Sequence, residues 1–292
     1  MSLWKYHLMA VFSAVVWGAS FISSKVLLGE GMTPTEIMLC RFFIGYILLC
    51  VIHPHFRRVS DLHDEFIFLM TGLLGGTLYF LAENSALKYT QASNVGLICA
   101  VVPIVTALFS RFVFKTEKFK RSFVIGALIS FVGVAMVVLN GQFQLKLNPL
   151  GDLLTFAAVV FWALYCVIQK LYHHTYPSLF VTRKLFFYGL LTTILYFLLF
   201  SSFDFPIEHF AKPAVYGNLL FLGVVASGIC FLFWNKAMDE LGVIITNNYV
   251  FLMPMITVVF AHFILDEILT PFIVVGSILI IGGLWWTNRG KV

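Results

Sequence analysis

Residues 72–88 read GLLGGTLYFLAENSALK, and residues 223–239 read GVVASGICFLFWNKAMD. Within them Asn84-Ser85-Ala86-Leu87 returns as Asn235-Lys236-Ala237-Met238, an offset of 151, and at that offset Gly72 meets Gly223. The register continues downstream, where Pro103 meets Pro254, Thr106 meets Thr257 and Phe109 meets Phe260. One residue is then lost, and at an offset of 150 Glu117 meets Glu267, Gly126 meets Gly276 and Gly133 meets Gly283. Upstream, Trp17 lies eight residues before Lys25, and Trp162 lies eight before Lys170. An ordered series at nearly one offset is the mark of an internal repeat. The halves are 1–140 and 150–292, joined by Gly141–Pro149.

Composition says what each half is made of. The chain has 292 residues, 60% hydrophobic and 11% charged, with a mean hydropathy of +0.94. A soluble domain carries about 25% charged residues. Uncharged stretches cover 6–24, 42–56, 66–82, 89–110, 122–145, 153–169, 185–203, 213–235, 241–265 and 268–288, ten in all. A bilayer-spanning helix needs about 20 mostly apolar residues. Ten helices are therefore expected, at 6–28, 34–52, 66–87, 91–110, 122–139, 150–171, 178–200, 214–236, 243–264 and 270–287. They leave no room for an ATPase, DNA-binding or soluble catalytic domain. The first lacks a small-residue cleavage site and reads as a helix rather than a signal peptide.

The fold class expected is an all-α integral membrane protein of ten transmembrane helices, built from two five-helix repeats. Five is odd, so the second half enters the membrane upside down relative to the first. Inverted-topology repeats are an architecture of secondary transporters, with the substrate site where the repeats meet. Two similar halves provide two nearly isoenergetic arrangements, one open to each side, and alternating access follows from that symmetry.

Net charge is +5, and its placement points to a membrane rather than to nucleic acid. With the N-terminus inside, the inner segments hold ten basic residues: Lys5, Arg57, Arg58, Arg111, Lys115, Lys118, Lys120, Arg121, Arg289 and Lys291. The outer loops hold three, Lys88, Lys146 and Lys212. Cytoplasmic loops collect Lys and Arg, so both termini are expected in the cytoplasm. Compact loops suggest a prokaryotic plasma membrane. The sequence leaves oligomeric state open and is compatible with a monomer.

Cys40, Cys50, Cys99, Cys166 and Cys230 all fall in predicted helices, without metal-ligand spacing. His53, His55, His63, His173 and His174 fall in cytoplasmic loops without acidic or cysteine partners at a metal-ligand spacing. No metal and no cofactor are expected, and no nucleophile–His–Asp set can be assembled at one depth. Small residues at Ala10, Ala14 and Gly18, at Gly72 and Gly76, and at Gly223 and Ser227 allow close helix approach. Pro103 and Pro254 sit inside the fourth and ninth helices, where each removes a backbone hydrogen bond. They are read as a mirrored pair of kinks, structural hinges or places where a freed carbonyl meets a ligand.

Four stretches, in order, carry a family resemblance: Trp17-Gly18-Ala19-Ser20-Phe21; Pro34 with Arg41-Phe42; Ala86 to Asn94 (ALKYTQASN) ahead of Pro103; and Glu117, Gly126 and Gly133, repeated as Glu267, Gly276 and Gly283. Over nearly its whole length the chain resembles the drug/metabolite transporter superfamily, in particular its ten-helix EamA-type members. The resemblance implies a two-repeat transporter whose cavity is lined mainly by helices one, three, four, six, eight and nine. Many such proteins look like exporters of amino acids or related metabolites, and others move nucleobases, quaternary amines, sugar-nucleotides or drugs. The second half departs from the first at Trp162-Ala163-Leu164-Tyr165, and Arg41 has no clean counterpart, since Arg183 and Lys184 both lie near its place.

Ionisable groups inside spans are functional candidates by default. Lys25 and Glu83 fall at similar depth in the first and third helices, as an outer ion pair or as two snorkelling side chains. Glu83 is also a candidate proton carrier. Asn84 with Asn235, and Lys25 with Lys170, are repeat-related and are read as gate partners, one set per membrane face. Arg41 lies about 10 Å into its helix, too deep to snorkel easily, as a substrate-carboxylate ligand or as a structural ion pair or carbonyl contact. Trp17, Tyr79, Trp162 and Tyr165 supply aromatic faces, and Ser20, Asn94, Gln169, Asn247, Asn248 and Tyr249 supply polar groups on cavity helices. Such a lining suits a small cargo with an apolar body and polar ends, or a cation in an aromatic box. The expected function is a non-enzymatic secondary transporter of small organic metabolites, foremost an amino-acid or related-metabolite exporter. Other cargoes (amines, nucleobases, drugs) and an intramembrane enzyme are the alternatives.

Overall fold

The computed structural model describes residues 3–54, 59, 61–114, 121–139, 148–172, 175–200, 210, 212–265 and 270–289. Glu117, Glu267, linker residues 141–147, His55, His173, His174, Arg57, Arg58, Lys115, Lys118, Lys120, Lys146 and Lys291 lie outside them. Among the described residues the regular structure is helical throughout, as a chain in hydrocarbon requires, because only helices and closed barrels satisfy every backbone polar group internally.

Ten helical passes follow one another along the described residues. They are α1 (Trp4–Gly29), α2 (Pro34–Ile52), α3 (Leu62–Tyr89), α4 (Ala92–Cys99 and Val102–Phe114), α5 (Arg121–Leu139), α6 (Pro149–Ile168, tightening into Gln169–Tyr172), α7 (Ser178–Phe200), α8 (Pro213–Leu241), α9 (Val243–Asn247, Asn248–Phe251 and Leu252–Leu265) and α10 (Pro271–Arg289). Nine are long and apolar enough to cross a bilayer, and α10 carries a shorter apolar run, Pro271–Thr287. The starts are written locally. Thr33 and Glu36 form a capping box ahead of α2 with Pro34 in its first turn, and Asn148 caps α6 with Pro149 in its first turn. Gly242, at φ +88°, takes the left-handed conformation that lets α8 turn into α9 without a loop.

Contacts at the helix ends establish the inversion. The start of α1 meets the middle of the broken α9, where His7 Nδ1 lies 2.6 Å from the Tyr249 hydroxyl. At the far end of α1, Lys25 reaches the turn between α3 and α4, whereas Lys170 at the end of α6 reaches Ser110 late in α4. Helices α1 and α6 therefore run in opposite directions, and the Lys25 and Lys170 ends are opposite ends of the bundle.

The halves are interleaved. Helix α1 packs on α8 and α9 of the other half, and in mirrored fashion α6 packs on α3 and α4. Helix α2 packs on α8 as α7 packs on α3, while α2 meets α7 and α5 meets α10 across the pseudo-twofold axis. Small residues make these approaches possible in lipid, where close packing must replace a hydrophobic driving force. A Cβ added to Gly133 would lie 2.6 Å from the Gly276 carbonyl oxygen, and one added to Gly126 would lie 2.6 Å from that of Gly283. Gly72 is pressed as closely on the α7 backbone at Gly189 (2.8 Å).

Both α3 and α8 widen to π-helical turns, at Leu73–Leu78 and Phe221–Ile229, which correspond at the repeat offset. Sequence patterning predicted plain helices there. The wide turns sit where small residues bring the backbone onto α6, α7 and α2. They also free carbonyls: Trp17 Nε1 donates to Ala226 O at 2.7 Å. Helix α4 is interrupted at 100–101 ahead of Pro103, and α9 tightens over Asn248–Phe251 ahead of Pro254.

Candidate functional site

The bundle's centre is aromatic. Trp17 of α1 and Trp162 of α6, repeat mates, meet edge to face at 5.3 Å between ring centroids and 86°. Trp234 lies 4.8 Å from Trp17, Tyr79 lies 4.9 Å from Trp162, and Phe231 packs on both indoles at 5.4 and 5.8 Å. Behind Phe231, Phe42 of α2 stacks on Phe186 of α7 at 4.4 Å. Pairs of this kind contribute about 0.5–1.5 kcal/mol each beyond area burial. Direction is fixed by the indole nitrogens, Trp17 on the α8 π-turn and Trp162 on Asn247 Oδ1 at 3.1 Å.

Two cavities flank this ring cluster. The first, with about 20 Å³ open to the centre of a water molecule, lies on the Lys25 side and is lined by Trp17, Ser20, Tyr79, Glu83 and Trp162 together with Phe21, Phe80, Cys99, Val102, Val250 and Met253. The second, also with about 20 Å³ open to the centre of a water molecule, lies on the Lys170 side, with Gln169, Lys170, Ser178, Asn235 and Asp239 among its walls. The two are chemically unlike. The first carries one carboxylate, Glu83, among rings, and the second carries Lys170 and Asp239 among amides and hydroxyls.

The predicted residues divide accordingly. Of those proposed to bind substrate, Trp17, Ser20, Tyr79 and Trp162 come together in the first cavity with Glu83. Gln169 lines the second, and Tyr165 sits between, 5.1 Å from Trp162 with its hydroxyl 2.5 Å from Asn235 Oδ1. Asn94, Asn247, Asn248 and Tyr249 are buried but line neither cavity. Asn94 donates to Thr90 Oγ1, and Tyr249 bonds His7.

The repeat-related gate residues are not equivalent. Asn235 accepts from Tyr165 and Gln169 (2.5 and 3.0 Å) and donates to Thr182 at 2.8 Å, tying α6, α7 and α8 together. Asn84 is fully buried, and neither of its amide atoms has a hydrogen-bond partner among the described residues. An ion pair between Lys25 and Glu83 is absent. Lys25 Nζ instead donates to Leu87 O at 2.7 Å and Thr90 O at 2.8 Å, closing the carbonyl end of α3 where a cation also meets the negative end of the helix dipole.

Arg41 is fully buried. Its Nε donates to Ser227 Oγ at 3.0 Å in the α8 π-turn, and its guanidinium carbon sits 4.1 Å from the Phe80 ring centroid. Sequence reasoning missed Trp234, Phe231 and Phe80 as parts of this centre. A signal was available for Trp234, which occupies the repeat position of Glu83.

The EamA-like transporter family model matches twice, over residues 4–139 and 149–289. An "uncharacterized transporter" of Archaeoglobus fulgidus is 28% identical over 97% of both chains. "Uncharacterized transporter YyaM" of Bacillus subtilis is 26% identical over 95% of this chain and 92% of its own. A "probable terminal-alkyne amino-acid exporter" of Streptantibioticus cattleyicolor is 25% identical over 96% of this chain and 92% of its own. A solved crystal structure superposes with a TM-score of 0.77 over 99% of this chain and 98% of that one, and at 19% identity it shows the fold alone.

Proposed function

The chain belongs to the EamA-like transporter family, and on that premise we propose that it exports an amino acid or related small metabolite by alternating access. The observation that carries this reading is the ring layer between two separate cavities at opposite ends of an inverted-repeat bundle. A transporter must close one side while the other opens, and a layer of packed rings is a septum whose two faces repack with little polar cost. Cargo rests against Trp17, Ser20, Tyr79 and Trp162. Lys25 and Asn84 belong to one gate, Lys170 and Asn235 to the other, and the breaks before Pro103 and Pro254 absorb the bending. The halves 1–140 and 150–292 act as the two symmetry-related bodies of the cycle. The termini face the cytoplasm of a prokaryotic cell, which puts the first cavity on the outer side and agrees with the ten-to-three distribution of basic residues.

The name of one relative supports an amino-acid cargo. The experiment is reconstitution into liposomes preloaded with an amino-acid mixture, with parallel loads of amines and nucleobases, with and without a pH gradient. Protein-dependent efflux of amino acids is the expected result. Movement of amines or nucleobases alone would replace the cargo, and a chemical conversion without movement would overturn the transporter reading.

A further inference from the structure

Arg41 and Glu83 are the two charged side chains buried nearest the ring cluster, with 0% and 2% exposure. They come from different helices, α2 and α3, and attract each other electrostatically. Neither terminal amino group of Arg41 has a hydrogen-bond partner among the described residues, so the attraction is not closed into a hydrogen-bonded ion pair. Phe80 connects them. Its ring lies under the guanidinium, it lines the first cavity, and Glu83 follows it three residues later on the same face of the helix. Both terminal nitrogens of a guanidinium left unpaired in the interior are costly, and native structures rarely keep such groups without a role.

A neutral pair with an open fork is suited to one kind of occupant. A guanidinium offers parallel N–H groups that match a carboxylate in bidentate fashion. The Glu83 carboxylate, facing the cavity between Tyr79 and Trp17, matches an ammonium. A zwitterion set between them leaves the interior neutral, gives the Arg41 fork the hydrogen-bonded partner it lacks, and adds an ammonium to a Glu83 carboxylate that otherwise has the Tyr79 hydroxyl. An amine or a carboxylate alone leaves one charge unpaired in low dielectric, which is strongly unfavourable.

We propose that Arg41 and Glu83 form a split zwitterion clamp at the first cavity, Glu83 on its wall taking the cargo's ammonium and Arg41, stacked behind the lining ring of Phe80, taking its carboxylate once that ring turns aside, with Trp17, Tyr79 and Trp162 against its apolar body. This rests on the reading of that cavity as the transport site. It assigns selectivity to the charge pair and leaves the ring layer as the barrier.

The test uses purified full-length protein in detergent and three matched ligand sets: the twenty common amino acids, their decarboxylated amines and their deaminated carboxylic acids. Binding is read by the shift in unfolding temperature and by quenching of tryptophan fluorescence. The wild type should bind at least one amino acid at least tenfold more tightly than its amine or acid. In Glu83→Gln that preference should collapse at least tenfold and the matched acid should become the better ligand. In Arg41→Gln the amine should become the better ligand. Should Arg41→Gln fail to fold, Arg41→Lys keeps the charge and loses the fork, and should weaken amino-acid and acid binding at least tenfold with amine binding unchanged. Equal loss of all three classes in Glu83→Gln, or unchanged selectivity, overturns the clamp. A wild type that transports in liposomes but prefers amines or acids also overturns the clamp and leaves the transporter reading standing. Absence of any transport removes the transporter reading itself.

Discussion

Replacing Asn235 with leucine should loosen the Lys170 end of the bundle and leave the Lys25 end alone. Leucine nearly preserves the side chain's volume, so packing is little changed and the effect isolates the hydrogen bonds. Three are removed, to Tyr165, Gln169 and Thr182 at 2.5, 3.0 and 2.8 Å. Gln169 keeps the Tyr165 hydroxyl at 2.9 Å and Thr182 keeps the Ser178 carbonyl at 2.7 Å, so most of the polar atoms left behind retain a partner. Interhelical side-chain bonds in membranes average about 0.6 kcal/mol each. The three together hold that end closed by about 2 kcal/mol, and their loss raises the opening equilibrium about 20-fold, at 1.4 kcal/mol per factor of ten. The assay places a single cysteine at Ser178, which lines the second cavity, in a background without the five native cysteines. The rate of thiol labelling in detergent is then compared with and without Asn235→Leu, with an acceleration approaching 20-fold as the expectation. The companion Asn84→Leu replaces an amide that already lacks partners, and it should leave the rate unchanged and stability equal or improved. An unchanged rate in a folded Asn235→Leu protein would refute the assignment of this network as a gate, as would equal acceleration by Asn84→Leu.

Two further outcomes follow from the packing. Gly133→Leu should separate α5 from α10, because its first added carbon already meets the Gly276 carbonyl at 2.6 Å. Overpacking of this kind costs about 1–3 kcal/mol, seen as a lower unfolding temperature, whereas Gly282→Ala, with nothing within 4 Å of the new carbon, should show no change. Lys25→Met removes two charge-assisted bonds to the Leu87 and Thr90 carbonyls, worth about 1.5–3 kcal/mol each at most. Amide hydrogen exchange should then accelerate around the turn between α3 and α4 while the far end of the bundle stays protected.

Much of the architecture was legible in the residues. Charge-free runs of the right length locate the passes, the offset of 151 pairs the halves, and an odd helix count per half forces the inversion. These features depend on one-dimensional quantities: the thickness of a bilayer, the cost of an unpaired peptide group in it, and the parity of a count. The aromatic centre was partly legible, because Trp17, Tyr79 and Trp162 fall at mid-helix on helices that the family resemblance assigns to the cavity.

The partners of the polar residues were not legible, because they depend on which faces meet across the interleaved halves. Lys25 and Glu83 lie at matching depths, but the Leu87 and Thr90 carbonyls at the end of α3 accept the hydrogen bonds of Lys25 in place of the carboxylate. Asn84 and Asn235 are written alike, but their surroundings differ: Tyr165 and Gln169 stand on α6 where the corresponding α1 positions carry Ser20 and Ser24. The π-turns of α3 and α8 left no local trace either, since residues 73–78 and 221–229 are compatible with an ordinary helix. Close contact of Gly72 with α7 and of Gly223 with Ile44 of α2 belongs to the assembled bundle. The sequence by itself determined where this protein resides and how its chain is threaded, because bilayer and backbone impose those terms residue by residue. The tertiary structure alone decided which buried charges and amides are satisfied, because that depends on distances of a few tenths of an ångström between helices far apart in the chain.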